Sequence, residues 1–397
     1  MKTIKKVKKK ILTHDSYYFT EQHIASKANY HGVSKSVLER QIWIYEFHSQ
    51  VQKKLKDRIV LKGGACMQLY IPLEVQRCTE DLDLYTDLSP NKLRKEMKAI
   101  EKEFNTKKIH IKIKEYIPKS VMKSGKTLPI TTFIVKFPFI FRENKKSKEG
   151  SLKIDFLHAD IRKLHTTGIK QGEVLGLHLN YVPIIVDNYS AITSKLVTFA
   201  VNTIGIERFK KDKLYKNAYD MFYMIKRHTS VDVFKKVTEY MKKSMAEEFR
   251  VKKLQPMSIE RVIDDILQEL YYLSAYDLKE NFTGYSKRLL DFQINYIQQG
   301  IKEKLDFDSW GIICAHLYLW VYALKHYILF KEPSKLEYIS KIEEEYNFYK
   351  ELTKEKQSAY LENIKKQLLN KKSRYLYDYI EEPLRFIYLY HIYFNKN

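Results

Sequence analysis

Asp81 and Asp83 lie two residues apart in the run Thr79-Glu80-Asp81-Leu82-Asp83-Leu84, a spacing that can do chemistry. On a β-strand side chains alternate between faces, so the two carboxylates project together while Leu82 and Leu84 enter the core. Carboxylates about 7 Å apart along one strand can share a divalent cation or bridge two. Hard oxygen donors with an open coordination sphere suit Mg²⁺ (or Mn²⁺), which takes a few carboxylates and completes its shell with substrate phosphates. Asp155, in the alternating run Leu152-Lys153-Ile154-Asp155-Phe156, is the candidate third carboxylate. Upstream, Gly63-Gly64 falls between a strand-like run and a short helical one. Backbone N–H groups can approach a phosphate there, and the start of a helix adds a favourable dipole. Arg77 and Thr79 are close enough in sequence to contact the same phosphate. The set describes metal-assisted phosphoryl transfer, in which paired ions activate the attacking oxygen and stabilise the leaving pyrophosphate. A lone D-x-D says little. The order strand, Gly-Gly, helix, R-x-T-x-D-x-D is far more specific.

The elements that must hold these residues follow from periodicity. Residues 34–55 carry apolar positions at helical spacing, with Ser34 or Ser36 as cap. Residues 58–61 and 82–86 read as strands, and Pro90 opens a helix reaching about Phe104. The strictly alternating stretch 109–114 reads as a strand, as do 131–141 and 151–157. Val182–Val186 contains Pro183 and suits an edge strand. After Ser190 the pattern is helical, punctuated by Pro256, Pro333 and Pro383. The expected fold class is α+β with a mixed sheet. A helical N-terminal arm covers 1–57, the sheet domain 58–189 and a helical domain 190–397.

Composition narrows the class. The chain has 397 residues, room for two or three domains, and its 44% hydrophobic content excludes wholesale disorder. With only 12 Gly and 9 Pro there are few breakers for long helices. Lys and Arg number 71 against 48 Asp and Glu, a net charge of +23 that favours a polyanion, nucleic acid before membrane. A/T-rich codon usage, visible in abundant Lys, Ile, Asn and Tyr, supplies part of that charge. The run Lys5–Lys10 reads as a solvated tail ahead of an RNA-touching arm, whereas Arg208–Lys213 reads equally as a charged loop or an RNA-contacting one. Cys66, Cys78 and Cys314 form no C-x-x-C pair, which excludes a disulfide scaffold and an ordinary zinc module. No apolar run follows the basic start, and the uncharged stretch Ser309–Leu324 falls short of the roughly 20 residues of a membrane span. A cytoplasmic protein with no membrane partner is expected.

The run Lys62-Gly63-Gly64-Ala65-Cys66, then Arg77-Cys78-Thr79-Glu80-Asp81-Leu82-Asp83, resembles the first motif of the nucleotidyltransferase-like toxins of bacterial abortive-infection systems, the AbiEii/AbiGii group. Tyr189–Leu196 resembles a second motif, with Lys195 on its lysine. Lys216-Asn217-Ala218-Tyr219-Asp220-Met221 is similar to a third. Length and the helical tail point to the AbiGii branch. The resemblance implies a polymerase-β-like fold that transfers NMP from an NTP to an acceptor, with tRNA or another RNA expected. It places Lys62, Gly63, Gly64, Arg77 and Thr79 at the nucleotide, and Lys195 and Asp220 beside Asp81 and Asp83 in the catalytic set. Lys195 would offset transition-state charge. It further implies growth arrest on phage infection under the control of a cognate antitoxin. Departures remain. Ala65 lacks the usual hydroxyl, which Thr79 could replace, and Asn217 stands where the family has aspartate. They keep open a second reading, a non-catalytic RNA- or protein-binding module on a decayed fold. The survival of both Asp81 and Asp83 argues against it. His158, Cys66 and Cys78 are expected to be structural.

Overall fold

Two helices, α1 (Glu21–His31) and α2 (Lys35–Leu55), precede the first strand in the computed structural model of the chain. It describes residues 12–397 apart from 107–108, 118–128, 142–148, 170–171, 208–212, 227–229, 275–282, 303–304, 306, 333–334, 336, 370–379, 381 and 397. The run Lys5–Lys10 and most of Arg208–Lys213 therefore lie outside the described residues, as does Pro333. Thr20 caps α1 by accepting from the His23 N–H, and Gly32 closes it at φ 64°. Ser34 is the N-cap of α2, although its hydroxyl makes no capping bond.

The chain forms two units, Met1–Asp187 with Asn295–Gln299, and Asn188–Ile294 with Gly300–Asn397. The first is built on β1 (Ile59–Lys62), β2 (Asp81–Thr86), β3 (Lys112–Tyr116), β4 (Ile130–Pro138), β5 (Glu149–His158), β6 (Thr166–Gly168), β7 (Glu173–Val174), β8 (Leu177–His178) and β9 (Ile184–Val186). Helices α3 (Gly63–Gln68) and α4 (Pro90–Thr106) follow β1 and β2. Seven strands make a mixed sheet in the order β3-β4-β5-β2-β1-β9-β6, with β2 parallel to β5 and β1 parallel to β9. One face carries Leu82, Leu84, Ile154, Phe156, Phe133 and Phe137, all buried. Trp43 and Phe47 of α2 meet Phe137 there, at ring distances of 5.1 and 6.2 Å. Burying one face beneath α2 and α4 leaves the other for polar work.

Three strand readings are corrected. Residues 109–111 stay outside β3 because Asn105 takes both backbone groups of Ile111, each at 2.9 Å, away from the ladder. β4 stops at Pro138 because the Ile140 and Phe141 N–H groups donate to the buried Glu39 carboxylate. β9 is not an edge strand; it lies between β1 and β6, and Pro183 precedes the ladder rather than interrupting it.

The second unit is helical: α5 (Asn188–Leu196), α6 (Lys213–Ile225), α7 (Val231–Lys252), α8 (Ile259–Ser274), α9 (Thr283–Tyr296), α10 (Gln299–Lys302), α11 (Phe307–Phe330), α12 (Glu337–Glu351), α13 (Lys354–Leu369) and α14 (Pro383–Lys396). Among the described residues α11 alone has the length and apolar character of a membrane span, yet 61% of that window is buried inside the unit. Trp320 is fully buried against Phe234 of α7. Arg385, 1% exposed, pairs with Asp308 at 2.6 Å and donates to the Ser274 carbonyl, tying α14 to α11 and α8.

Candidate active site

Strand register draws four side chains into one transverse row on the open face of the sheet. Lys62 on β1 faces Asp83 on β2, Asp83 faces Asp155 on β5, and Asp155 faces Thr132 on β4. One step along the strands, Asp81 faces Lys153. Adjacent strands lie about 4.8 Å apart, so three carboxylates and two lysines share a small patch. Thr132 donates its hydroxyl to Asp155 Oδ1 at 2.5 Å, and Lys153 Nζ bonds Asp155 Oδ2. Lys62 holds its ammonium 4.2 Å from the centre of the Tyr85 ring.

The glycine pair closes the near side of that patch. Gly63 sits at φ 70°, and a Cβ there would overlap the Asp83 carboxylate, 2.8 Å from Cγ. A Cβ on Gly64 would come 3.0 Å from Thr79 Oγ1 and 3.3 Å from Arg77 Nη2. Asp83, Thr79 and Arg77 thus converge on one turn of backbone. Thr79 brings a hydroxyl to the turn beside Gly64. Arg77 is 3% exposed; its Nη1 donates to the Cys78 carbonyl at 2.8 Å, and its N–H donates to Gln68 Oε1 at 2.9 Å. Gln41 accepts the Thr79 N–H at 2.8 Å. The returning segment pins the same loop, with Cys78 N donating to the Tyr296 carbonyl at 2.9 Å and Gln298 donating to the carbonyls of Leu73 and Gln76.

A second cluster lies within the helical unit. Lys195 on α5 donates to Asn217 Oδ1 at 2.8 Å and stands 3.8 Å from Asp220 Oδ2, both on α6. Asn217 in turn donates to Thr198 Oγ1 at 2.9 Å. The two downstream motifs therefore meet, and Asn217 works as the acceptor that orients Lys195.

The family model of the nucleotidyl transferase AbiEii toxin of the type IV toxin–antitoxin system matches residues 48–293. The chain belongs to this family. It is a nucleotidyltransferase, and AbiEii membership implies an NTP substrate and a cognate antitoxin. A structure from H. pylori assigned as a nucleotidyltransferase is 16% identical, with a TM-score of 0.35 over 72% of this chain and 98% of that one. An antigenic nucleotidyltransferase-like protein from Paracoccidioides brasiliensis is 12% identical, with a TM-score of 0.31 over 55% of this chain and 94% of that one. No curated protein matches the chain.

The electrostatics of the sheet's open face turn on Lys153. Burial works against its charge, but the bond to Asp155 and the fields of Asp155, Asp81 and Asp83 outweigh that and raise its pKa above the ordinary lysine value. Its ammonium is a stand-in cation among the three carboxylates. Among the described residues no three acidic, histidine or cysteine side chains converge closely enough to hold a metal unaided. The donor set nonetheless suits Mg²⁺, which needs only one or two carboxylates when substrate phosphates supply the rest. Sequence reasoning missed Lys153 and Thr132. Lys153 was within reach, because the alternation that turns Asp155 outward turns Lys153 the same way.

The other candidates have structural work. His158 uses both ring nitrogens, on Thr131 Oγ1 at 2.8 Å and the Leu88 carbonyl at 2.9 Å. Cys66, Cys78 and Cys314 are buried thiols outside any disulfide. Glu149 and Asp160, near Asp155 in sequence, pair with Lys136 and Arg162.

Proposed function

We propose that the face bearing Asp81, Asp83 and Asp155 is the catalytic centre of a Mg²⁺-dependent toxin that transfers NMP from an NTP to an RNA hydroxyl, tRNA being the expected acceptor. The single observation carrying this is the row Lys62–Asp83–Asp155–Thr132, closed by the Gly63-Gly64 turn. A divalent ion held by the carboxylates would supply charge to offset that developing on the phosphates. The chain's own groups do the rest. Gly63 and Gly64, free of Cβ atoms, let phosphate oxygens approach the turn. Arg77 gives it a buried guanidinium held on the Cys78 carbonyl, and Thr79 a hydroxyl, on a loop whose backbone N–H groups Gln68 and Gln41 accept, so the donors are in place before the transition state. Thr132 orients Asp155. Lys195, oriented by Asn217 and Asp220, takes the charge-offsetting part on the strength of its motif, and Asp220 keeps its place in the catalytic set on the same ground. The acceptor hydroxyl oxygen attacks the α-phosphorus and releases its proton to water, the bond from that phosphorus to the α,β-bridging oxygen breaks, and pyrophosphate leaves with the bond's electron pair. The biological reading that goes with this chemistry is cytoplasmic growth arrest during phage infection, held in check by the antitoxin. The AbiGii branch rests on length and helical tail alone.

The test is thermal protection. Ligand binding to the native state raises the melting temperature by mass action. NTP with Mg²⁺ is expected to protect the parent and to leave Asp83→Asn unprotected at an unchanged ligand-free melting temperature. Equal protection of both would remove Asp83 from the site.

A further inference from the structure

A concavity of about 810 Å³ opens along α1 and the segment that precedes it, and Asp81, Asp83 and Asp155 take no part in its walls. That volume lies within the roughly 300–1,000 Å³ of ordinary ligand sites. Ring side chains dominate its lining, chief among them Tyr17, Tyr18, Tyr30, His23 and His31. Tyr18 and His23 serve the fold: their rings meet edge-on at 5.0 Å, and His23 Nε2 bonds the Gly176 carbonyl at 2.7 Å. Tyr17 and Tyr30 do not bury themselves, being 52% and 80% exposed. Each is still held in a set attitude, Tyr17 against His23 at 5.0 Å and Tyr30 against His31 at 4.9 Å. Lys27, one helical turn before Tyr30, carries its ammonium 5.9 Å from the Tyr30 ring centre. The Glu173 carboxylate supplies an acceptor on the opposite strand.

We propose that this cavity binds an unpaired base of single-stranded RNA, stacked on Tyr17 and Tyr30. Aromatic faces accept any base, a nearby cation serves the adjoining phosphate, and a carboxylate can accept from a base N–H. The chain's net charge of +23 draws a polyanion to its surface, and within the lining, which also carries Asp15 and Glu173, Lys27 is the cation that would meet a phosphate. The wall is also tied to the proposed catalytic loop. Gln76, the neighbour of Arg77, donates to the Glu173 carbonyl at 3.0 Å, and Gln298 donates to the Leu73 carbonyl at 2.7 Å while its Oε1 bonds His31 at 2.8 Å. A base seated here would rest on the same braced loop that carries Arg77. The inference takes RNA as the polymer from the proposed function, on which it rests for that choice.

The experiment uses the full chain and a fluorescently labelled RNA of about six nucleotides at low salt. Tyr17→Ala and Tyr30→Ala are each expected to weaken binding roughly tenfold, while Tyr30→Phe stays near the parent. Both positions are exposed, so the melting temperature should hold. An abasic version of the oligonucleotide should bind the parent as weakly as the full RNA binds the double variant. Unchanged affinity in Tyr17→Ala/Tyr30→Ala overturns the proposal, as does equal binding of abasic and full RNA by the parent. Loss of antitoxin binding in the double variant with RNA affinity intact would make this a protein-docking site and overturn it too. NTP protection of the same samples reports the transfer reading separately, so the failure of one is not mistaken for failure of the other.

Discussion

Gly63 and Asp83 are packed so closely that a Cβ added to the glycine would overlap the carboxylate, 2.8 Å from its Cγ. The glycine also holds φ at 70°, a left-handed conformation that costs a side chain about 1–2 kcal/mol. Gly63→Ala must therefore strain the turn and push Asp83 out of its row. Gly64→Ala meets only the ends of Thr79 and Arg77, at 3.0 and 3.3 Å, which can give way. Gly63→Ala is expected to lower the melting temperature and abolish NTP–Mg²⁺ protection, with Gly64→Ala the milder of the two. Calorimetry with and without nucleotide checks this, and equal losses would contradict it.

Lys153→Met removes the ammonium that neutralises the carboxylate face. Asp81, Asp83 and Asp155 would then face one another without their resident cation, and each would disfavour the charge of the next. Binding of Mn²⁺ alone, followed by electron paramagnetic resonance, is expected to tighten roughly tenfold, about 1.4 kcal/mol. Weaker binding would show that Lys153 supports the ion rather than competing with it.

Lys195→Gln withdraws a cation from Asp220, whose side chain is 0% exposed. Removing one partner of a buried pair costs about 3 kcal/mol, much of it the burden left on the remaining charge. Urea unfolding should show that loss, and Lys195→Gln/Asp220→Asn should recover part of it. Turnover is expected to fall roughly 10²-fold in both variants, which separates the chemical role from the structural one. Full turnover in the double variant would leave Lys195 a purely structural residue.

His48 predicts an acid limit to stability. Burial, with His14 nearby, pulls its pKa down to about 3 from an ordinary 6.5. The folded state thus keeps His48 neutral while the unfolded state takes up a proton. Its contribution is whole above pH 6.5 and is lost as pH falls towards 3. Between those values the parent should lose about 1.4 kcal/mol per pH unit more than His48→Gln does. His316, depressed to about 4 by burial, is common to both proteins and cancels in the difference. Parallel curves would refute the assignment.

Alternation alone exposed Asp81, Asp83 and Asp155, because outward carboxylates between buried Leu82, Ile154 and Phe156 obey a local rule. What aligned them was not local. The match of Lys62, Asp83, Asp155 and Thr132 depends on register between strands far apart in the chain, on a sheet whose other face packs Phe137 against Trp43 and Phe47 of α2. β3 starts late because of an Asn105 side chain, which no periodicity records. β6, β7 and β8 span two or three residues each, too short for a pattern to show. The return of residues 295–299 to the first unit rests on Tyr296 and Gln298 bonding the loop before β2, a pairing some 220 residues apart in sequence. Asn217 looked like a lost aspartate; its amide oxygen is what Lys195 needs.

The most direct measurement incubates the purified chain with Mg²⁺, total RNA and each NTP labelled at the α-phosphorus. The parent is expected to transfer label to RNA, and Asp83→Asn to lose it by at least roughly 10²-fold while melting at the parental temperature. Undiminished labelling by Asp83→Asn would contradict the assignment of this carboxylate face as the catalytic centre.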